Sequence, residues 1–134
     1  MPASSNPVDA YARDVVAGRV PAGKYHRLAC ARHVYDRQRE ATPRFPYRFD
    51  MAKAERFIRF AEQLKHYKGE FAGRPIILQP YQVFRLGSLF AWVHMETGRR
   101  RFRTSYNELP RKQGKSLEAA VVMLYGTFYD GEPG

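Results

Sequence analysis

The residues best suited to chemistry are Gly114, Lys115 and Ser116, which stand between a strand-like run and a helix-like run. A glycine lets the backbone pass close to a phosphate group, because it has no Cβ to intrude. Lys115 supplies a positive charge for β- and γ-phosphates, and the Ser116 hydroxyl can bind Mg²⁺. The first turn of the following helix offers unpaired N–H groups and the positive end of its dipole. A strand, a loop and a helix in this order predict a phosphate-binding loop.

The match to the standard phosphate loop is incomplete. The pattern has a glycine five residues before Gly114, where this sequence has Leu109. Residues 102–108 alternate apolar and polar side chains and include Asn107 near the end, whereas a central parallel strand is usually apolar throughout. We interpret this run as the first strand of an α/β domain, and residues 116–128 as the helix that follows the loop. The residues predicted to form the buried face of this helix are Leu117, Val121, Leu124 and Phe128.

Gln82 is a second candidate for nucleotide chemistry. Pro80 suits the first position of a helix, which places Gln82 on its first turn. A glutamine side chain has both a donor and an acceptor, so it can pair with the N6 and N7 edge of adenine. Gln82 precedes Lys115 by 33 residues, which leaves room for one helix, one turn and one strand. The alternative is an ordinary polar residue near a helix start.

A possible metal site lies on a basic helix near the start of the chain. His26, Cys30 and His33 recur at i, i+4 and i+7 and therefore share one helical face. Two of them could bind a soft metal, but a structural zinc site takes four ligands. Because no CxxC pair or second His/Cys cluster completes the set, we expect an ordinary half-exposed helix face.

Apolar periodicity predicts four helices before the loop. They run from Pro7 to about Gly18, from about Lys24 to Arg39, from the N-cap Asp50 to Gly69, and from Pro80 through an apolar run that includes Trp92 and Val93. Residues 47–49 are expected to be extended at most.

The bulk composition restricts the possible function. The chain has 134 residues, enough for one ordinary domain or part of a larger one. Its 23 Lys and Arg against 13 Asp and Glu give a net charge of +10, which favours polyanionic partners such as nucleic acid or nucleotide. A single cysteine excludes an intramolecular disulfide and fits a reducing cytosol. We recognise no secretory signal, and the longest apolar run, residues 119–125, is too short to span a membrane.

Several motifs, in consistent order and spacing, resemble the large terminase subunit of tailed bacteriophages. In the second half of the chain they are Gly69-Glu-Phe-Ala-Gly-Arg-Pro75, Leu78-Gln-Pro-Tyr-Gln82, Gly87-Ser-Leu-Phe-Ala-Trp92, Arg100-Arg-Phe-Arg103, Pro110-Arg-Lys-Gln-Gly-Lys-Ser116 and Asp130-Gly-Glu-Pro-Gly134. In the first half they are Tyr11-Ala-Arg-Asp-Val-Val16, Pro21-Ala-Gly-Lys24, Leu28-Ala-Cys30 and Arg48-Phe-Asp50. The resemblance therefore covers nearly the whole chain.

That family packages viral DNA into empty capsids, with an N-terminal ATPase domain and a C-terminal metal-dependent nuclease domain. The resemblance implies an α/β fold in which a mainly helical lead-in region, residues 1–70, precedes an incomplete P-loop NTPase domain, residues 71–134. It implies ATP and Mg²⁺ as cofactors. It also implies double-stranded viral DNA, a portal protein and a small terminase subunit as partners, with no membrane involved. The parent protein would form a homo-oligomeric ring in the cytoplasm of the bacterial host.

The resemblance also assigns roles to residues. Terminases use a deviant phosphate loop with an arginine at the position of Arg111, which implies that Arg111 contacts the γ-phosphate in cis, as an arginine finger does. With Lys115 it would form the catalytic pair, while Ser116 would hold the Mg²⁺ of Mg-ATP. Gln82 would contact adenine, and Tyr81 would pack on the base. The remaining nucleotide-binding residues would be Pro110, Lys112, Gln113 and Gly114.

Two departures from the family shape the functional expectation. The family usually has an apolar residue at the position of Asn107. Its acidic second motif, catalytic glutamate and nuclease carboxylates would lie beyond residue 134, because Glu118, Asp130 and Glu132 do not follow an apolar strand. We therefore expect this chain to hydrolyse ATP poorly by itself. The alternatives are a small basic module that binds nucleic acid or the packaging assembly without catalysis, and a nonfunctional gene fragment.

Overall fold

The computed structural model describes residues 6–66, 70, 72–108 and 115–128, with the backbone alone for residues 115 and 116. These residues form five helices and one two-stranded sheet. In chain order the elements are α1 (Pro7–Val16), α2 (Lys24–Gln38), β1 (Tyr47–Phe49), α3 (Met51–Gln63), α4 (Pro80–Ala91), β2 (Trp92–His94) and α5 (Lys115–Phe128). The protein is mixed α/β, with helices in the majority. In the described part of the chain, no helix is both long and apolar enough to cross a bilayer.

Side-chain caps set the helix starts that the sequence predicts. The Asn6 Oδ1 atom accepts a hydrogen bond from the Asp9 N–H at 2.7 Å, one residue before Pro7 opens α1. The Asp50 Oδ1 atom accepts one from the Ala52 N–H at 3.1 Å. These contacts confirm the predicted starts of α1 and α3.

Helix α3 ends earlier than predicted. Its last residue is Gln63 rather than Gly69, because the backbone becomes extended at Leu64. The Ile76 N–H then donates to the Leu64 carbonyl at 2.9 Å. This hydrogen bond joins the residue that follows α3 to the segment that precedes α4.

The sheet differs from the prediction. β1 pairs antiparallel with β2, with Phe49 opposite Trp92, so the extended conformation at residues 47–49 is confirmed. β2 was predicted as the end of a helix. The predicted strand at residues 102–108 is wrong, since this segment is irregular and mostly exposed. A strand needs a neighbour to satisfy its backbone groups, and the described residues place none beside this segment.

Helix α4 lies at the centre of the apolar core. It packs against α1 on one side and α3 on the other, while α3 also contacts α5. Since α4 lies beyond the predicted boundary at residue 70, the two predicted regions contact each other directly. The boundary itself stays a prediction.

The buried face of α5 is half of the predicted one, since Leu117 and Val121 pack on the core and Leu124 and Phe128 do not. Leu124 and Phe128 are 43% and 72% exposed, whereas Val121 and Tyr125 are buried. The Tyr125 ring packs edge-on against Phe57 and Phe90, at centroid distances of 5.1 and 4.8 Å. These aromatic contacts set the rotation of the helix, and Leu117 packs against the same cluster.

A buried polar network joins α1, α2 and β2. The Trp92 Nε1–H donates to His33 Nδ1 at 3.2 Å, so the His33 proton lies on Nε2, 2.6 Å from Asp9 Oδ1. Arg37 Nη2 donates to Asp9 Oδ2 at 3.1 Å. Burial acts to raise the pKa of the Asp9 carboxyl, but His33 and Arg37 outweigh it and hold that pKa below its ordinary value.

A substitution at Gly87 tests how closely α4 packs against α1 and α3. A Cβ added at this position would lie 3.0 Å from Val8 Cγ2 and 3.6 Å from Ala54 Cβ. Val8 and Ala54 are fully buried, so the close-packed core around them resists the shift that a Cβ at position 87 would need. We therefore expect Gly87→Ala to lower the free energy of unfolding by about 1 kcal/mol, because overpacking exceeds the gain in helix propensity. Urea denaturation followed by circular dichroism measures this change.

The matched control is Gly126→Ala in α5, where nothing lies within 4 Å of an added Cβ. This substitution should raise the free energy of unfolding by about 0.5 kcal/mol through helix propensity alone. If both alanine variants were equally stabilised, the close packing of α4 would be wrong.

The Asp9 network predicts a loss of stability in acid. Because the pKa of Asp9 is lower in the folded state, its contribution is complete above the ordinary value of 3.8 and is lost as the pH falls through the folded value. At neutral pH we expect Asp9→Asn to lower the free energy of unfolding by about 2 kcal/mol. It should also flatten the pH dependence below pH 3.8, measured by urea unfolding at a series of pH values.

Asp14→Asn is the control, because Asp14 pairs with Arg19 while both side chains stay largely exposed. It should leave the unfolding curves almost unchanged. An Asp9 variant with the same acid dependence as the unvaried chain would contradict the assignment.

Candidate nucleotide site

A groove runs along α4, bounded by α2 and by residues 102–108, with a volume of about 950 Å³. Aromatic side chains supply much of its wall: Tyr11, Tyr25, Tyr81, Phe84, Phe102 and Tyr106. Two buried polar atoms in residues that line it, Arg85 Nε and Ser88 Oγ, have no hydrogen-bond partner in the described part of the chain. The groove thus combines flat apolar surfaces with a few polar atoms, as ligand sites do.

Tyr81 lies on this groove, where a base-packing residue would be useful. It is half-buried on the first turn of α4, and the Arg85 guanidinium carbon lies 5.2 Å from the centre of its ring. A cation over an aromatic face stabilises the orientation of the ring. The groove therefore includes one of the two predicted base contacts, and the role of Tyr81 stays a prediction.

Gln82 has a different local role from the one predicted. Its Oε1 atom accepts a hydrogen bond from the Gln79 N–H at 2.8 Å and so caps the start of α4. The side chains that line the groove include Tyr81 but not Gln82. The Gln82 amide nitrogen remains a donor, and the Gln82 Oε1 atom has a second lone pair for another hydrogen bond. The adenine contact stays a prediction.

Most of the predicted loop lies outside the described residues. This holds for Pro110, Arg111, Lys112, Gln113 and Gly114, and for the side chains of Lys115 and Ser116.

The helix after the loop is confirmed, and it begins at Lys115. Lys115 and Ser116 therefore stand on a first turn, where N–H groups are unpaired and the helix dipole is positive. This is the placement that phosphate binding at a helix N-terminus requires.

The sequence prediction missed Arg85, which contacts both flanks of the predicted loop. Arg85 Nη1 donates to Asn107 Oδ1 at 3.0 Å, and Arg85 Nη2 pairs with Glu118 Oε1. The Arg85 and Glu118 side chains are only 12% and 10% exposed. The only local signal was that Arg85 follows Tyr81 by one helical turn, since the contacts themselves span 22 and 33 residues.

The two histidines of the possible metal cluster have separate partners, and its cysteine is buried. His26 Nε2 lies 2.9 Å from the Tyr11 hydroxyl, and burial lowers the pKa of His26. His33 lies between Trp92 and Asp9, while burial raises the pKa of the Cys30 thiol to about 12. Among the described residues, no group of three or more His, Cys, Asp or Glu side chains could hold a metal ion.

The comparisons with known proteins give one match. Residues 80–134 match the protein family described as the terminase large subunit, ATPase domain. Comparisons with curated proteins and with solved structures found no match. The matched segment contains Tyr81, Arg85 and the whole stretch from Asn107 to Glu118. The groove residues that it leaves out are those of α1 and α2 and Gly23 before α2. Residues 80–134 are therefore similar to the ATPase domain of terminase large subunits.

Proposed function

We propose that this chain binds Mg-ATP through residues 109–116 and forms part of an ATPase that drives viral DNA packaging. The observation that carries the proposal is the start of α5 at Lys115 within the segment that matches terminase ATPase domains. A Gly-Lys-Ser sequence at a helix start places backbone N–H groups, a cation and a hydroxyl together around one phosphate group.

The proposed roles follow from the chemistry of each side chain. Lys115 neutralises the β- and γ-phosphates, and the Ser116 hydroxyl binds Mg²⁺. Arg111 contacts the γ-phosphate and offsets the charge that develops as the terminal phosphoryl group is transferred. The base packs on Tyr81 in the groove, with Gln82 at the adenine edge. Loop residues Pro110, Lys112, Gln113 and Gly114 surround the phosphates.

We expect the isolated chain to bind nucleotide weakly at most and to turn it over negligibly. Glu118 is the carboxylate nearest the loop in the described helix α5, and its pairing with Arg85 makes it unavailable to Mg²⁺ or to an attacking water. In the whole motor, ATP hydrolysis would be coupled to movement of double-stranded DNA. The proposed setting is a ring of large subunits that meets a portal and a small terminase subunit in the cytoplasm of the bacterial host.

Lys115→Ala tests the loop. Losing the charge on the β- and γ-phosphates should weaken binding of both Mg-ATP and Mg-ADP by about tenfold or more. Titration with a fluorescent ATP analogue, followed by competition with each unlabelled nucleotide, measures both affinities. Lys65→Ala is the control, because Lys65 is exposed and precedes α4. Equal affinities for the Lys115 and Lys65 variants would contradict the proposed site.

Arg111→Ala separates the γ-phosphate from the rest of the site. The variant should lose about tenfold in affinity for Mg-ATP while its affinity for Mg-ADP changes little. The exposed Arg103→Ala is the matched control and should change neither affinity. Equal losses for the two nucleotides would contradict a γ-phosphate contact.

A phosphate-release assay of the original chain tests the expected lack of hydrolysis. Several turnovers per second would contradict it.

One observation favours a second function, a basic module that binds nucleic acid without catalysis. Lys24 and Arg32 lie on the groove, and the Arg32 guanidinium is 5.0 Å from the centre of the Phe102 ring. Burial and the nearby Arg101 lower the pKa of Arg32, so a bound phosphate would relieve an unfavourable charge. DNA binding that is lost in Arg32→Ala, together with unchanged nucleotide affinity in Lys115→Ala, would favour this second function.

A further inference from the structure

We propose that Arg85 is a positioning residue that holds both flanks of the loop at residues 109–114 against helix α4. The effect of Arg85 on nucleotide binding rests on the proposed function. Its contacts with Asn107 and Glu118 do not depend on that proposal. Asn107 lies two residues before the loop and Glu118 four residues after it, and one guanidinium contacts both side chains. The same guanidinium lies over the ring of Tyr81.

The strength of this contact comes from charge and burial. A hydrogen bond between a guanidinium and a carboxylate is stronger than one between neutral groups. Because the Arg85 and Glu118 side chains are largely shielded from water, solvent screens their attraction less than it screens a surface pair. The planar guanidinium fixes the directions of both donors, so a lysine could not make the two contacts in the same way.

Arg85 can position the loop only if Arg85 itself is fixed. It lies two residues before Gly87, where the α4 backbone packs directly on Val8 and Ala54. The α4 backbone at Arg85 is therefore fixed relative to the core, and the guanidinium links Asn107 and Glu118 to it. Fixing residues 107 and 118 in advance lowers the conformational entropy that ligand binding would otherwise cost.

This role explains Asn107, which is polar where the phosphate-loop pattern has an apolar residue, and it gives the Glu118 carboxylate a partner. An apolar side chain at position 107 could not accept the hydrogen bond from Arg85, whereas Asn107 does. The negative charge of the Glu118 carboxylate is balanced by the Arg85 guanidinium. A metal ion is therefore not required to explain a carboxylate at this position. Asn107 and Glu118 therefore serve the position of the loop rather than its chemistry.

A distance measurement across the loop tests the proposal directly. Spin labels are attached at Thr104→Cys and Ala120→Cys, two exposed positions on opposite flanks. The native Cys30 is buried and its thiol pKa is raised to about 12, so it escapes labelling. Pulsed electron resonance should give a narrow distance distribution in the unvaried background and a broad one in Arg85→Met. The exposed Arg56→Met in α3 is the control and should leave the distribution narrow.

A charge exchange distinguishes positioning from general damage to the fold. Arg85→Glu alone should broaden the distribution, and Arg85→Glu combined with Glu118→Arg should narrow it again. In parallel, Arg85→Met should weaken Mg-ATP binding on the order of tenfold, with partial recovery in the double variant. A distribution that stays narrow in Arg85→Met would overturn the proposal, as would failure of the exchange to restore it.

Two further outcomes are separable. If the Arg85 variants lose their helical circular dichroism, Asn107→Leu removes one contact alone, and an unchanged distribution in that variant overturns the proposal. If the unvaried chain binds no nucleotide while the distance results follow the expected pattern, the proposed ATP site fails and the positioning role of Arg85 stands.

Discussion

The close packing of α4 between α1 and α3 is the constraint on which the candidate site depends. Gly87 lets the α4 backbone contact Val8 and Ala54 directly, which fixes the helix in the core. Tyr81 and Arg85 project from the first half of this helix toward the groove. Close-packed interiors deform little, so a contact made only of methyl groups and backbone sets the position of the side chains that would meet a nucleotide.

Two buried ionic clusters extend this order beyond α4. Trp92, directly after the helix, is joined through His33 to Asp9. Arg101 then donates its backbone N–H to the Trp92 carbonyl at 2.8 Å and a guanidinium hydrogen bond to Asp36 at 2.7 Å. Each buried polar side chain in these two clusters has a hydrogen-bond partner. The clusters therefore favour one arrangement of the helices. Residues 102–108 therefore leave the core from a fixed point at Arg101 and are held near their other end through Asn107.

The sequence predicted what is local and missed what is long-range. The starts of α1, α3 and α4 follow from Asn6, Asp50 and Pro80, whose capping effects extend over one turn. The loop pattern predicted a helix from Ser116, one residue after its observed start at Lys115. The strand at residues 102–108 was wrong because alternation shows that a segment can be extended, whereas a strand also needs a neighbour. The contacts of Arg85 were invisible because they join residues far apart in the sequence.

The failed strand prediction and the Arg85 contacts have one physical explanation. In the described structure, residues 102–108 donate no backbone hydrogen bond to another segment, and Tyr106 is 86% exposed. An extended segment with free N–H and C=O groups can pair with a neighbouring strand. Arg85 holds this segment through the Asn107 side chain only, so that contact leaves the backbone free to pair. Side-chain positioning by Arg85 and pairing of this segment with another strand are therefore compatible, and Asn107 keeps its contact with α4 in both.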